Sequence, residues 1–291
     1  MFGIIINPAS GGGKNQEIAR QITAMLAERG EEARVFATEC EGDGDRQARL
    51  ALESGCDAVI CVGGDGTLSE VVDAMANSGK TLYIVPNGTG NDFARAFGLP
   101  KDPMAAFAAQ LDGVEANVDC GSLNGRAFIN VSGSGFDVEV LRKTEELKKI
   151  YPGEQAYTKA VLAVLSSYKP SEIEISIDGG AFKSYSATII EVSNGRYFGG
   201  GMLVAPKASF QDGVFDVVIV DRVPGMLIPF LLPLFKLGLH VHLPIGHVIR
   251  AKELVMRMKD MVINIDGNLK AMDEAHYRVM EGALCMRLPK K

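Results

Sequence analysis

The sequence predicts an α/β fold, in which an N-terminal doubly wound parallel α/β domain precedes a C-terminal, mostly antiparallel β domain. Up to about residue 115, short apolar runs alternate with stretches of helical periodicity, as in a parallel sheet with helices on both faces. Beyond that point, Asn-Gly and Asp-Gly pairs that favour antiparallel hairpins separate the apolar runs. We predict domains at 1–118 and 119–280, and leave open whether about 281–291 returns to the first domain.

The first domain opens with Phe2–Ile6, a continuous apolar run of the kind found in buried parallel strands. Ile18, Ile22, Met25 and Leu26 then recur at helical spacing. The other elements predicted here are strands at Ala33–Ala37, Ala58–Val62 and Leu82–Val85, and helices at about 45–54, 68–77 and 91–97.

The second domain is predicted to consist mainly of strands, with one helical stretch at roughly 138–168. The predicted strands are Val114–Cys120, Arg126–Val131, Glu172–Ile177, Ala187–Val192, Val214–Val220, 253–258 and 261–265. Hairpin turns are expected at Asn124-Gly125, Asp178-Gly179, Asn194-Gly195, Asp212-Gly213 and Asp266-Gly267.

Composition narrows the class of protein. The chain of 291 residues is long enough to bury a sizeable core, and its net charge of −6 argues against nucleic-acid binding, which usually needs a basic excess. The cysteines are dispersed without a Cys-x-x-Cys pair, which fits a reducing compartment. Phe2–Ile6 is too short for the apolar region of a signal peptide, so we expect a cytoplasmic protein.

Three glycine-rich loops dominate the first third of the chain. Each follows a predicted strand and leads into a predicted helix, so all three should meet in one crevice at the carboxyl edge of the sheet. Backbone amides approach phosphates closely where side chains are small. Two of the loops also carry an aspartate, Asp65 or Asp92, and this combination indicates phosphoryl chemistry. The loops are Asn7–Gly13, Gly63–Thr67 and Pro86–Arg95.

The first loop does not fit the common phosphate-binding motifs. Asn15 follows Gly13-Lys14 where a Walker A motif has Ser or Thr, and Pro8 stands at its leading glycine. No Gly-x-Gly-x-x-Gly motif occurs in the chain. Taken alone, the loop is equally well a plain strand-to-helix turn.

The second loop is more specific. The amides of Gly64, Gly66 and Thr67 can face an anion at the start of the following helix. Asp65 would repel a phosphate unless a cation lies between them, which implies Mg²⁺. The alternative for this loop is an ordinary Asp-Gly turn.

Together the loops resemble those of the bacterial diacylglycerol kinase and lipid kinase family, which is related to sphingosine and ceramide kinases. The motifs NPxSG, GGDGT and GTxNDFAR occur in that order at residues 7–11, 63–67 and 88–95. GGDGT is shared with NAD kinases and 6-phosphofructokinases, whereas the other two motifs select the lipid kinases. Further similar segments are Gly133–Asp137, Ser193-Asn194, Gly199–Gly201 and Pro206–Gly213.

The resemblance implies a β-sandwich-like C-terminal domain, an active site in the cleft between the domains, and transfer of the γ-phosphoryl group of ATP to a hydroxyl of a membrane lipid such as diacylglycerol. Asp65 and Asp92 would be catalytic, supporting the nucleotide's Mg²⁺ and the lipid hydroxyl. The residues implied to contact ATP are Asn7, Pro8, Ser10, Gly11, Gly12, Gly13, Thr38, Gly64, Asp65, Gly66, Thr67, Glu70 and Thr89.

The resemblance also implies a structural Mg²⁺ in the second domain, at the loop Ser209–Val214. Ser209, Asp212 and Val214 would hold it, with Asp212 as the side-chain ligand, and Asp119 would join it to the cleft through hydrogen bonds. From the residues alone, Asp212-Gly213 is a plain hairpin turn.

One position departs from the family pattern. Where the family has Asp-Gly-Glu, with the Glu resembling a general base, this chain has Asp266-Gly267-Asn268, and an amide cannot accept the proton. Asp273, Glu274 or Asp92 could take that role, or the Asn could serve a different acceptor. The alternatives are a nucleotide- or lipid-binding protein without useful catalysis and, less favoured, an NAD-kinase-like enzyme.

The expected partners are ATP and a lipid at the membrane surface, which implies peripheral membrane association. Lys143, Lys148, Lys149 and Lys159 form either an ordinary solvated face or a contact with anionic headgroups. A homodimer is plausible because the second domain should have edge strands.

The most apolar window, residues 224–246, is interrupted by prolines, and it predicts a buried or membrane-touching helix rather than a span. Within it, residues 226–239 are expected to be core in preference to a lipid tunnel.

Overall fold

The computed structural model describes residues 1–151, 154–165, 168 and 170–290. The helices are α1 (Asn15–Glu28), α2 (Gly44–Glu53), α3 (Asp65–Met75), α4 (Asp92–Ala96), α5 (Pro103–Leu111), α6 (Phe136–Lys148), α7 (Glu154–Leu165) and α8 (Ile228–Lys236). The strands are β1 (Phe2–Ile6), β2 (Ala33–Ala37), β3 (Ala58–Gly63), β4 (Thr81–Pro86), β5 (Val114–Leu123), β6 (Arg126–Phe128), β7 (Val131–Gly135), β8 (Ser171–Ile177), β9 (Lys183–Ser193), β10 (Tyr197–Phe198), β11 (Met202–Leu203), β12 (Phe215–Asp221), β13 (Gly246–Ala251), β14 (Glu253–Ile265) and β15 (Asn268–Leu288).

The N-terminal domain is a parallel sheet in the order β2-β1-β3-β4 with helices on both faces, as the sequence predicts. Successive residues of β1 point to opposite faces. Ile4 and Ile6 pack in the cluster formed with α1 and α5, whereas Ile5 packs in the cluster formed with α2 and α3. The continuous apolar run in β1 therefore serves two cores at once.

The last strand joins the two parts of the molecule. Near its end, β15 pairs in parallel with β4 through Cys285 and Met286. The second half of β15, from Tyr277 to Leu288, pairs in antiparallel with β5. The register shifts between Met280 and Leu284, where Gly282 has a φ of 60°. This bulge lets a single long strand belong to both the parallel sheet and the antiparallel part.

The C-terminal part is mainly antiparallel, and two cores lie on either side of its strands. In β12, Phe215, Val217 and Ile219 face one cluster, while Val218 and Val220 face the cluster built with α6, α7 and α8. The predicted fold class, a parallel α/β domain plus a β-sandwich-like domain, is thus confirmed.

Three of the five expected hairpin turns are present, at Asn124-Gly125, Asp178-Gly179 and Asp266-Gly267. Asn124, Asp178 and Asp266 all have φ near 50°, as hairpin turns of the primed types require. The expectation was wrong at Asn194-Gly195, because the Asn194 side chain instead donates to the carbonyls of Asp119 and Ile129 and fixes a loop. It was also wrong at Asp212-Gly213, which lies in the loop before β12.

Other boundaries differ for physical reasons. The predicted strand Arg126–Val131 is split into β6 and β7 because the Asp266 carboxylate takes the intervening backbone amides. The two predicted strands at 253–258 and 261–265 form one strand, β14. The helical stretch at 138–168 is two helices, α6 and α7, and parts of its end lie outside the described residues.

The apolar window does not form ordinary core. Ile228 and Phe235 of α8 are buried, but Met226 and Phe230 are 79% and 75% exposed. Ile228 and Phe235 belong to a hydrophobic core cluster, against which Leu231 packs, and all three also line the cavity described below. The expectation of core is therefore met by the inner side of this segment and is wrong for Met226 and Phe230. Within the described residues, no helix is long and apolar enough to span a membrane.

Candidate active site

The three glycine loops meet at the carboxyl edge of the parallel sheet, because β1, β3 and β4 end side by side. Asparagine side chains tie the first loop to the third. Asn87 Nδ2 donates to Asn15 Oδ1 at 2.5 Å, and Asn15 Nδ2 donates to the Asn7 carbonyl at 2.8 Å and to Ser10 Oγ at 2.9 Å. Asn15, which breaks the Walker A pattern, thus holds the loop in shape.

Backbone packing joins the second loop to the third. A Cβ at Gly88 would lie 2.5 Å from Gly64 Cα, closer than real Cβ atoms approach another atom. Only glycine allows these two loops to touch at this point. The second and third loops are therefore in direct backbone contact at Gly64 and Gly88.

Asp65 is the first residue of α3, and its carboxylate lies at the start of α4. Its two oxygens accept the backbone N–H groups of Asp92 at 3.1 Å and of Phe93 at 3.3 Å. A carboxylate is stabilised at a helix N-terminus by the unpaired amides there. Asp65 therefore orders the third loop in addition to facing the cleft.

Asp92 is buried and links the two domains. Its Oδ2 accepts the N–H of Gly200 at 2.7 Å, and Arg95 lies 3.4 Å from its Oδ1. Burial is the main reason that the pKa of Asp92 is raised to about 6, and the nearby Asp65 charge raises it further. The Asp92 carboxyl group therefore titrates closer to neutral pH than an ordinary aspartate.

A cavity of about 410 Å³ lies between the two domains. Its polar end is formed by Asp65, Asp92, Asn130, Asp266 and Asn268. The rest of its wall is mostly apolar, and includes Phe136, Val140, Ile189, Ile228, Leu231 and Phe235. The cavity lies in the cleft between the domains, where the resemblance places the active site, and it combines carboxyl groups with apolar side chains.

Asn268 lies at this polar end. Its Nδ2 donates to Ser69 Oγ at 3.0 Å, and Ser69 Oγ donates to the Gly66 carbonyl at 2.9 Å. The preceding Asp266 accepts the backbone N–H groups of Ile129, Asn130 and Val131 at 2.8 to 3.0 Å. The turn that carries Asn268 is thereby fixed against β7.

Two of the carboxylates considered as replacements for the missing Glu lie elsewhere. Asp273 is exposed and accepts the N–H of Asp260 at 2.8 Å. Glu274 pairs with Arg257 and His276. Neither lines the cavity, whereas Asp92 does. Of the three candidates, only Asp92 is placed to meet a substrate there.

A further acidic group that was not predicted as a site residue lies at the cavity wall. Asp137 is buried, and its Oδ2 accepts from Asn264 Nδ2 at 3.2 Å. Glu191 is fully buried beside it, and lies over Gly133, where a Cβ would be 2.1 Å from Glu191 Oε2. Burial raises the pKa of Asp137 to about 6. Burial also raises the pKa of Glu191 well above its usual range, and the nearby Asp137 charge raises the pKa of Glu191 further. Asp137 and Glu191 therefore keep their protons to higher pH than ordinary carboxyl groups.

The remaining residues implied to contact ATP surround the loops. Thr38 is buried, and its N–H donates to the Ile6 carbonyl at 2.9 Å. Glu70 accepts the N–H groups of Gly42 at 2.9 Å and Gly44 at 2.8 Å, so it holds the start of α2. Thr89 is exposed at the tip of the third loop. The Glu70 carboxylate is thus bonded to the backbone at the start of α2, whereas the Thr89 side chain is exposed to solvent.

The loop Ser209–Val214 has oxygen donors of the kind that Mg²⁺ prefers, but its one carboxylate is engaged. Arg250 forms an ion pair with Asp212 Oδ2. Asp119 accepts the N–H groups of Gly213 at 2.8 Å and Gly282 at 2.7 Å, and so joins this loop to the bulge in β15. A cation in this loop would therefore compete with Arg250 for Asp212 Oδ2.

Both parts of the chain match known families. Residues 1–123 match the diacylglycerol kinase catalytic domain, and residues 130–287 match the YegS C-terminal NAD kinase beta sandwich-like domain. The diacylglycerol kinase of Bacillus subtilis (strain 168) is 32% identical over 275 residues, covering 92% of this chain and 90% of that protein. That of Mycobacterium tuberculosis is 31% identical over 296 residues, covering 98% and 94%.

Solved structures show the same fold. A crystal structure of a diacylglycerol kinase from Bacillus anthracis str. Sterne superposes with a TM-score of 0.74 at 22% identity, covering 99% of this chain and 96% of that one. Another structure from the same strain reaches 0.81 at 24% identity, covering 99% and 94%. Because both parts match and relatives are more than 30% identical along nearly the whole length, the protein belongs to the diacylglycerol kinase family, a family of lipid kinases.

Proposed function

We propose that this protein transfers the γ-phosphoryl group of ATP to a hydroxyl group of a membrane lipid such as diacylglycerol. The observation that carries the proposal is the cavity, whose polar end lies beside the glycine loops and whose remaining wall is mostly apolar. A hydroxyl lipid has the same division into a small polar head and apolar chains. A polar acceptor such as NAD would leave Ile228, Leu231 and Phe235 without an apolar partner.

The glycine loops would bind the phosphates of ATP. The amides of Gly64, Gly66 and Thr67 lie at the start of α3, where the helix dipole favours negative charge. Asp65 would hold the Mg²⁺ that accompanies ATP, and that ion would neutralise the phosphate charge during transfer. The asparagines that join the loops keep the amides in place before ATP binds, which lowers the cost of ordering them.

Asp92 would accept the proton of the lipid hydroxyl. With a pKa of about 6 it is mostly ionised at pH 7, and it is a stronger base than an ordinary aspartate. Its bond to Gly200 and its ion pair with Arg95 fix the carboxylate at the polar end of the cavity. The loose transition state of phosphoryl transfer depends mainly on positioning and electrostatics, so a base of this strength suffices.

A second function, binding of nucleotide and lipid without catalysis, is favoured by one observation. Asn268 donates to Ser69 at the position where the family's Glu resembles a general base, and its amide cannot accept a proton. General-base catalysis is typically worth about 10²–10⁴-fold. If Asp92 does not accept the proton, turnover would therefore be very slow.

Transfer from γ-labelled ATP to diacylglycerol, phosphatidylglycerol and sphingosine in mixed micelles tests the proposal. We expect the native chain to label diacylglycerol and Asp65→Asn to reduce the rate by about 10² or more. Asp112→Asn, which changes an exposed carboxylate of the same domain, is the matched control and should retain full activity. ATP binding without label on any lipid would support the binding protein instead.

A further inference from the structure

The segment around α8 is apolar on two sides, which a helix on the surface of a soluble domain normally avoids. Its inner side, with Ile228 and Phe235, closes the cavity. Its outer side, with Met226, Phe230 and Leu237, is 64–79% exposed. In the part of the chain that the structure describes, five of the twelve exposed large hydrophobic side chains lie between residues 226 and 239. Such clustering on one surface usually marks an interaction site.

The charge of this segment differs from that of the rest of the chain. Residues 222–249 contain no Asp or Glu, although the whole chain has a net charge of −6. Arg222 and Lys236 are exposed in this segment, and within the described residues neither forms an ion pair. A basic apolar segment without acidic residues is complementary to a membrane with anionic headgroups.

We propose that the exposed apolar side of the α8 segment inserts into the interface of an anionic phospholipid bilayer. This side is defined by Met226 and Leu227 before the helix, Phe230 within it, and Leu237 and Leu239 after it. The helix has nine residues, too few to span a bilayer but enough to lie in its surface. Because Leu231 and Phe235 on the other side line the cavity, insertion places the bilayer against the cavity wall. A lipid then reaches the cavity without crossing water. This inference deepens the proposed function and rests on it for the identity of the lipid.

Vesicle co-sedimentation without ATP tests the insertion itself. We expect the native chain to bind vesicles of phosphatidylglycerol and phosphatidylcholine in equal parts, and Met226→Ser/Phe230→Ser to bind at least about tenfold more weakly. Lys236→Gln should weaken binding to these vesicles about fivefold and leave binding to pure phosphatidylcholine unchanged. Val35→Ser/Val114→Ser removes two exposed apolar side chains from the first domain and should bind like the native chain.

A second readout separates insertion from catalysis. Dihexanoylglycerol below its critical micelle concentration needs no membrane, so native and Met226→Ser/Phe230→Ser chains should phosphorylate it equally and differ only on vesicles.

Equal vesicle binding by native and variant chains would overturn the inference. So would a native dimer that the variant converts to a monomer in light scattering, with vesicle binding unchanged, because α8 would then be covered by a second copy. Vesicle binding without phosphorylation of any lipid would uphold insertion and count only against the proposed function.

Discussion

Asn268 Nδ2 donates a hydrogen bond to Ser69 Oγ over 3.0 Å, which joins the first residue of the last strand to the helix that follows the second glycine loop. This contact places residue 268 at the polar end of the cavity with its donor side turned to α3. A side chain in this position can help to close the cleft, but as an amide it cannot take a proton from a substrate. Under the proposed function, the proton of the substrate hydroxyl must therefore go to another group.

We expect Asp92 to accept the proton of the substrate hydroxyl, and the dependence of the transfer rate on pH should show this. Since the base must be ionised, the transfer rate should rise with pH through about pH 6, the pKa of Asp92. Asp92→Asn keeps an oxygen for the Gly200 N–H, so it should fold while losing about 10²–10⁴-fold in kcat and the rise near pH 6. Because Asp137 also has a pKa of about 6, Asp137→Asn is the control. Loss of the rise in Asp137→Asn alone would rule out this assignment of the base.

The buried acids Asp137 and Glu191 should make the protein less stable as pH rises. An unfolded aspartate ionises near pH 3.8, whereas folded Asp137 keeps its proton up to about pH 6. Its contribution to stability is therefore complete below about pH 4 and is lost as pH rises through 6, by roughly 3 kcal/mol. Glu191, whose pKa is raised as well, adds to the same trend.

Urea unfolding of the native chain and of Asp137→Asn/Glu191→Gln between pH 4 and pH 7 measures this effect. The native chain should lose at least roughly 3 kcal/mol relative to the double variant over this range. Asp112→Asn, at an exposed site, should follow the native curve. Parallel curves for native and double-variant chains would show that the pair holds no extra proton.

Contact between the glycine loops should make Gly88 intolerant of any side chain. Gly88→Ala would place a Cβ 2.5 Å from Gly64 Cα, and we expect a loss of about 1–3 kcal/mol in stability together with weaker ATP binding. Gly66→Ala is the matched control, because a Cβ there meets nothing within 4 Å. Thermal unfolding of both variants checks the difference, and an equal Tm for both would contradict the described packing.

Arg250 should compete with Mg²⁺ for the loop Ser209–Val214. Its ion pair with Asp212 supplies the positive charge that the resemblance assigns to a metal. Arg250→Gln frees that carboxylate, so Mg²⁺ should raise the Tm of this variant by several degrees more than that of the native chain. Arg278→Gln, which removes an exposed arginine of β15, should respond as the native chain does. An equal response in Arg250→Gln would show that Arg250 does not occupy a cation site.

Local sequence chemistry predicts much of the fold. The runs in β1, β3 and β4 are uniformly apolar because both faces are covered, and Asn124, Asp178 and Asp266 have the backbone conformation that their turns require. The long strand β15 was not predicted, because the first half of β15 is largely exposed and carries no apolar run. Its pairing with β4 joins residues about 200 positions apart, which no local pattern reveals.

In the candidate site, too, some residues are evident from local sequence and others depend on distant contacts. Asp65 and Asp92 stand inside recognisable loops, so the sequence predicts them as site residues. Glu191 lies in a run with Ile189, Ile190 and Val192, and this one acid among apolar neighbours was the available signal. Its partner Asp137 is distant in sequence and approaches only because β7 and β9 are paired and Gly133 leaves room. Which side of α8 is buried likewise depends on residues distant in sequence, because Ile228 and Phe235 share a core cluster with residues of α6 and α7.

The most direct test of the account is the rate of phosphoryl transfer from ATP to diacylglycerol in four chains: native, Asp92→Asn, Asn268→Glu and the double variant. We expect the native chain to be active, Asn268→Glu to lie within a few-fold of it, and Asp92→Asn to lose about 10² or more. In the double variant, the carboxylate introduced by Asn268→Glu should raise the rate at least about tenfold above that of Asp92→Asn alone. An inactive native chain that becomes active only with Asn268→Glu would contradict the account, and would identify the protein as one that binds its ligands without turning them over.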